Sequence, residues 1–260
     1  MVTADGDMTG YLSNGCIDRD IQARGVSALA TGERMFLHYG QGSQFMDLKL
    51  PCGGSLKVLI DPAPDTDALL AAAKALQARQ AATLTFDVPT EPATQVSFTY
   101  RPKFRVVLAG RGAAFRATAT VAHAAGFEIS VMSPEADDLT ALAAVSFDPP
   151  VSLTTPESAP DLSGIDENSA FLTLFHDHDW EPALLQSVIE SSAAYIGCLG
   201  SDAAQAQRKA MLTAAGVPQD ALDRIHGPIG LVGGLRDAQL IAISAMAEVT
   251  QMMPPSVVAN

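Results

Sequence analysis

The run AYIGCLG (Ala194–Gly200), then Ser201 and the helical pattern DAAQAQRKAML (Asp202–Leu212), decides the fold. A short apolar run that closes on Gly200-Ser201 and opens into helical periodicity reads as a buried strand, a tight turn and a helix. Such a turn leaves backbone N–H groups unpaired where the peptide dipoles add partial positive charge. Ser201 is placed to cap that helix with its hydroxyl. The geometry suits a phosphate or another anion. Downstream, the compact turn IHGPIGLVGG (Ile225–Gly234) leads into a last apolar helix, RDAQLIAISAMAEVTQ (Arg236–Gln251).

Upstream, the same rhythm repeats. SAFLTLF (Ser169–Phe175) is a strand and EPALLQSVIES (Glu181–Ser191) a helix. FRVVLAG (Phe104–Gly110), ATATVAHAAG (Ala117–Gly126) and FEISVM (Phe127–Met132) give strand, helix and strand. Buried strands alternating with helices build a parallel sheet. Ser133 to Glu167 is rich in Pro, Asp and Ser and reads as loops, with one short strand near Ala143 to Phe147. Arg101-Pro102-Lys103 reads as a linker.

Before the linker the pattern is strand-rich. MVTADGDMTGYL (Met1–Leu12) carries a hairpin signal, and ERMFLHYG (Glu33–Gly40) and SLKVLIDP (Ser55–Pro62) are strands. TLTFDV (Thr83–Val88) and TQVSFTY (Thr94–Tyr100) are two more. Helices are expected over Ile17–Ala30 and Asp65–Gln80. The expected architecture is therefore α/β: a small mixed α/β N-terminal domain over residues 1–100, and a C-terminal Rossmann-like three-layer domain with a mainly parallel sheet over 103–260.

Bulk composition narrows the function. With 260 residues and 48% apolar content the chain can bury a proper core. A formal charge of −13 argues against nucleic acid and an anionic membrane surface as partners. The first residues carry neither the basic nor the apolar region of a signal peptide, no apolar run is long enough to span a bilayer, and the three cysteines are an odd number. A cytoplasmic protein with free thiols is expected.

Several motifs carry chemistry. The turn GRGAAF (Gly110–Phe115) sits between strand and helix, where a dinucleotide fingerprint belongs, and Gly110 and Gly112 fill its first two small positions. Phe115 departs from the third, and Ser133 stands where an acidic residue would hold a ribose. Cys16 follows Gly15, and Cys52 precedes Gly53-Gly54. Two thiols in Gly-rich turns suit a soft metal or a sulfur-bearing cofactor; taken alone, a cysteine in a turn is more often a small buried hydrophobe. Cys198, mid-strand, reads as core. His176 ends a strand and faces the cleft, with Asp177 or Asp179 capping the next helix. His176 and His178 form a conceivable metal pair. His226, before Gly227-Pro228, either bonds a ligand or holds its loop. No nucleophile-and-base signature and no phosphate-binding loop of the ATPase type is present.

These motifs taken together resemble a known family. YIGCLGS, then Arg208, Lys209, Leu212 and Gly216 in R-K-x-x-L-x-x-x-G, RIHGPIGL, and a close with Ile241, Ala242, Ser244, Ala247 and Glu248 are similar to the xanthine dehydrogenase accessory factors of XdhC/CoxI type. LSNGC and LPCGG look like the family's two cysteine motifs, and Asp18 falls where the family carries an acid. The resemblance implies a chaperone that binds molybdenum cofactor (molybdopterin) and delivers it, after sulfuration, to a molybdenum hydroxylase such as xanthine dehydrogenase. It implies a cysteine desulfurase as a second partner, and the apolar final helix suggests a homodimer. The binding set so implied is Cys16, Asp18, Cys52, Gly53, Gly110, Gly112, His176, Gly200, Ser201 and His226. Two other readings remain at this stage: an NAD(P)-dependent oxidoreductase using the Gly110 turn, and a non-catalytic interaction scaffold.

Overall fold

The computed structural model describes residues 1–13, 15–43, 53–89, 94–255 and 257–259. It divides into two compact units, Met1–Tyr100 with Val257–Asn260, and Arg101–Ser256. The expected boundary placed the whole C-terminus in the second unit. The last strand instead returns to the first.

The first unit holds α1 (Asp18–Thr31), β1 (Met35–Gly40), β2 (Ser55–Ile60), α2 (Thr66–Gln77), β3 (Ala82–Val88) and β4 (Thr94–Tyr100). Strands β1 and β2 pair antiparallel, Met35 opposite Ile60. Ile17 and Ile21 of the α1 segment bury against Leu37, Tyr39 and Val58. Asp20 pins the same contact, accepting from the Tyr39 hydroxyl at 2.6 Å and Arg24 Nε at 2.7 Å. Asp65 caps α2 by accepting from the Ala68 N–H. The hairpin expected at the N-terminus reduces to one antiparallel bridge, Val2 opposite Met8. At the end of β1, Gly40 has φ +89, and a Cβ there would lie 2.0 Å from the Gly54 carbonyl oxygen.

The second unit contains β5 (Arg105–Gly110), α3 (Gly112–Ala124), β6 (Glu128–Ser133), α4 (Ala136–Leu142), β7 (Val151–Ser152), β8 (Ser169–Leu174), α5 (Glu181–Ile189), β9 (Tyr195–Cys198), α6 (Asp202–Ala214), α7 (Gln219–Leu222), β10 (Ile225–His226) and α8 (Ala238–Met252). Its six strands run in the order β10-β9-β8-β5-β6-β7, all parallel. Chain order reverses between β5 and β8, so a crevice forms at their carboxyl ends. Buried side chains such as Val106, Leu108 and Leu172 on one face, and Val107, Phe171 and Ile196 on the other, give the sheet a core on each side. β11 (Val257–Ala259) pairs antiparallel with β4 in the order β11-β4-β3.

Two expectations are corrected here. The stretch after Ser133 holds the helix α4, and its strand lies at Val151–Ser152 rather than near Ala143–Phe147. Helix α3 starts at Gly112 rather than at Ala117, so Gly112–Phe115 of the GRGAAF stretch form its first turn. A seven-residue helix and a two-residue edge strand leave too little periodicity to read. None of the described helices is long and apolar enough to cross a membrane.

Gly40→Ala is expected to lower stability by about 1–3 kcal/mol, from a side chain held at positive φ against a backbone oxygen. A lower urea midpoint at unchanged m-value measures it; an unchanged midpoint contradicts it.

Candidate functional site

The carboxyl edge of the parallel sheet collects most of the expected site residues. Gly110 and Gly112 flank the end of β5, His176 follows β8, Gly200 and Ser201 follow β9, and His226 ends β10. Gly110 permits close approach, since a Cβ there would meet Leu174 at 2.7 Å.

Beneath the β9 end lies a buried charge network. Glu181 is fully buried, and its carboxylate accepts from Arg208 Nε and Nη2 at 3.0 Å each and from the Thr173 hydroxyl at 2.7 Å. His178 Nδ1 lies 2.9 Å from the same carboxylate. Arg208 also donates to the Leu199 carbonyl at 3.0 Å and to Gln205 Oε1 at 2.5 Å. Gln205 in turn donates to the Ile225 carbonyl at 3.0 Å. The buried stripe of α6 is Gln205, Arg208 and Leu212, which is why a guanidinium occupies a core position. Cys198 is sealed in the same core, and burial pushes its thiol up to about 12, so it stays protonated at neutral pH.

Above this network, Gly200 has φ +148 and Ser201 caps α6 by accepting from the Ala204 N–H at 3.2 Å. The amides of Asp202 and Ala203 have no partner inside the helix and lie at exposed residues. A Cβ on Gly200 would sit 3.9 Å from His178 Cε1, so an imidazole borders the turn. No group of His, Cys, Asp and Glu poised to hold a metal occurs among the described residues, and His178 is engaged by Glu181. The expected side-chain cap by Asp177 or Asp179 is absent from α5; Asp177 instead binds Arg111 at 2.6 Å.

At the β5 end the picture differs. The Gly112 N–H donates to Asp138 Oδ2 at 2.8 Å, and Arg116 pairs with the other oxygen. Arg111 bridges to Glu135 at 3.2 Å. A shallow groove of about 440 Å³ is lined here by Arg111, Gly112, Arg116, Glu135, Asp138 and His176. His226 stacks on the Tyr195 ring at 4.8 Å, with Nδ1 4.0 Å from Glu248. Glu248 also accepts from the Gly230 N–H, so His226 belongs to the packing of its own loop.

In the first unit Cys16 is exposed with a free thiol. Its loop is organised by Asp18, whose carboxylate accepts from Leu12 N at 2.7 Å, Gly15 N at 2.6 Å, Ser13 N at 3.3 Å and the Ser13 hydroxyl at 3.2 Å. The Leu12 bond, with Gly15 and Ser13, holds the Asp18 carboxyl below its ordinary 3.8 against the opposing effect of desolvation. Asp18 therefore shapes the loop. Gly53 is exposed at φ +70; Cys52 lies outside the described residues.

Comparison with known proteins fits this geometry. Residues 106–249 match the family model of the XdhC Rossmann domain, and residues 1–40 that of the XdhC and CoxI family. The chain belongs to the XdhC and CoxI family. It is 28% identical over 265 residues to the molybdenum cofactor insertion chaperone PaoD of Escherichia coli K12, across 97% of this chain and 76% of PaoD. It is 24% identical to YqeB of the same organism over 97% of this chain, spanning only 40% of YqeB. A solved Bacillus halodurans structure described as a xanthine dehydrogenase superposes with a TM-score of 0.75 at 20% identity, covering 95% of this chain and 83% of that one. That likeness speaks to the fold.

Glu181→Ala leaves Arg208 buried without its counter-charge, at an expected cost of about 3–5 kcal/mol; a melting temperature within a degree or two of the parent contradicts this. For Asp18→Asn, the depressed carboxyl fixes the sign. Its contribution is full above the ordinary pKa of 3.8 and is lost as pH falls through the lower folded value. The gap in melting temperature between parent and variant should be widest near neutrality and close under strong acid.

Proposed function

We propose that this protein carries molybdenum cofactor as cargo and hands it to a molybdenum hydroxylase of the xanthine dehydrogenase type. The observation that carries the reading is its likeness to the insertion chaperone PaoD over 97% of the chain. The residues present suit such cargo. Molybdopterin carries a phosphate, and the free amides at the start of α6, in a turn whose glycine leaves room for close approach, are donors of the kind phosphate takes. In the first unit, the exposed Cys16 thiol is a soft sulfur donor of the kind molybdenum takes. Gly53, beside Cys52, and His176, at the end of β8, complete the set we assign to binding. The protein acts as a carrier rather than an enzyme, in the cytoplasm, as a homodimer, and receives sulfur from a cysteine desulfurase.

The test is the metal and pterin content of protein purified from a cofactor-producing host, with pterin read by fluorescence after oxidation. Parent protein should carry both. Cys16→Ser should retain about tenfold less molybdenum, equivalent to losing roughly 1.4 kcal/mol of binding. Background levels of both in the parent would sink the proposal.

A further inference from the structure

The crevice between β5 and β8 is where a fold of this topology places a dinucleotide, with the diphosphate on the amides that open the first helix. Here that seat is taken. The Gly112 N–H, the first amide of α3, donates to Asp138, whose side chain is only 3% exposed. Arg116, the nearest cation on α3, is spent on the same carboxylate. Over it, Arg111 spans from Asp177 after β8 to Glu135 before α4, in ion pairs whose members are 36–52% exposed. Ser133, at the ribose position, is fully buried and accepts from the Glu135 N–H at 3.1 Å. Phe115, where a small residue lets helix and strand close up, is fully buried in the core.

We propose that Asp138 is a specificity-determining residue that excludes nucleotide diphosphates from the crevice at the carboxyl ends of β5 and β8. The carboxylate does this in two ways. It uses the donor that a diphosphate needs, and it holds the Arg116 guanidinium that would otherwise meet the ligand's charge. The Arg111 pairs are exposed and weak, so they cannot by themselves keep a ligand out. Exclusion therefore rests on Asp138 and not on Arg111. The consequence for function is a Rossmann unit freed from the nucleotides abundant in a cell, with the first amide of α3 already taken. This inference concerns a different helix from the proposed cargo site and stands or falls separately.

The experiment titrates the full-length parent, Arg111→Ala, Asp138→Ala and Asp138→Asn with NADPH and with inorganic pyrophosphate by calorimetry. Parent and Arg111→Ala should show no saturable binding. Asp138→Ala should bind both probes at least tenfold more tightly than the parent, with Asp138→Asn weaker than Asp138→Ala yet above the parent. If Asp138→Ala melts without cooperativity, the isosteric Asp138→Asn carries the test. Parent protein binding NADPH as tightly as the Asp138 variants overturns the inference. So does a cooperatively folded Asp138 variant that ignores pyrophosphate, or an Arg111→Ala protein that gains binding as Asp138→Ala does.

Discussion

One buried carboxylate holds the carboxyl edge of the parallel sheet together. Glu181 opens α5, where the helix dipole already favours negative charge. Its oxygens gather Thr173 from β8, His178 from the preceding turn and Arg208 from α6. Arg208 extends the grip to the Leu199 carbonyl, and Gln205 to β10. Taking both ions out of water carries a large desolvation penalty that Coulomb attraction alone does not repay. What makes the arrangement tenable is that both carboxylate oxygens and the Nε, Nη1 and Nη2 groups of the guanidinium are hydrogen-bonded. Such a network favours one geometry over its neighbours, and the Gly200-Ser201 turn inherits that geometry from below.

Two of the helices that open on this edge, α3 and α6, are treated differently. The first amide of α3 is met by Asp138, an internal anion. At α6 the Ser201 hydroxyl takes one N–H and leaves the earlier amides exposed. In a chain of net charge −13, long-range attraction for an anion is absent, so capture has to be local. A neutral cap preserves the local positive end of the dipole, whereas a carboxylate cancels it. Asp202 in the first turn of α6 is exposed and screened by solvent, unlike Asp138. Of these two helix starts, α6 is the one whose cap carries no charge.

Much of this was legible in the chain. Apolar runs such as FRVVLAG and SAFLTLF announced β5 and β8, and the Gly-Ser turn announced α6, because buried parallel strands are near-continuous in hydrophobic residues. β7, β10 and β11 escaped notice: strands of two or three residues owe their existence to a neighbour's hydrogen bonds, which a local pattern does not encode. Asp138 was hidden for a related reason, since it lies in the segment read as loop and its partner amide, Gly112, is 26 positions away. Arg208 had left a signal. It shares a helical face with Leu212, and a cation on a buried stripe demands a buried acid; Glu181 stands across the network from it.

The chemistry of the site residues is divided between the units. In the first, the loop amides of Leu12, Ser13 and Gly15 all point at Asp18, which leaves little main-chain donor capacity there for an anion. What that loop does present is sulfur, through an exposed Cys16. In the second, the thiol of Cys198 is buried and protonated, and what the edge presents is amide hydrogen. Each outcome follows from the local cap: a carboxylate that takes up the loop amides leaves a side chain to face solvent in the first unit, and a neutral hydroxyl that takes one N–H leaves amides to do so in the second.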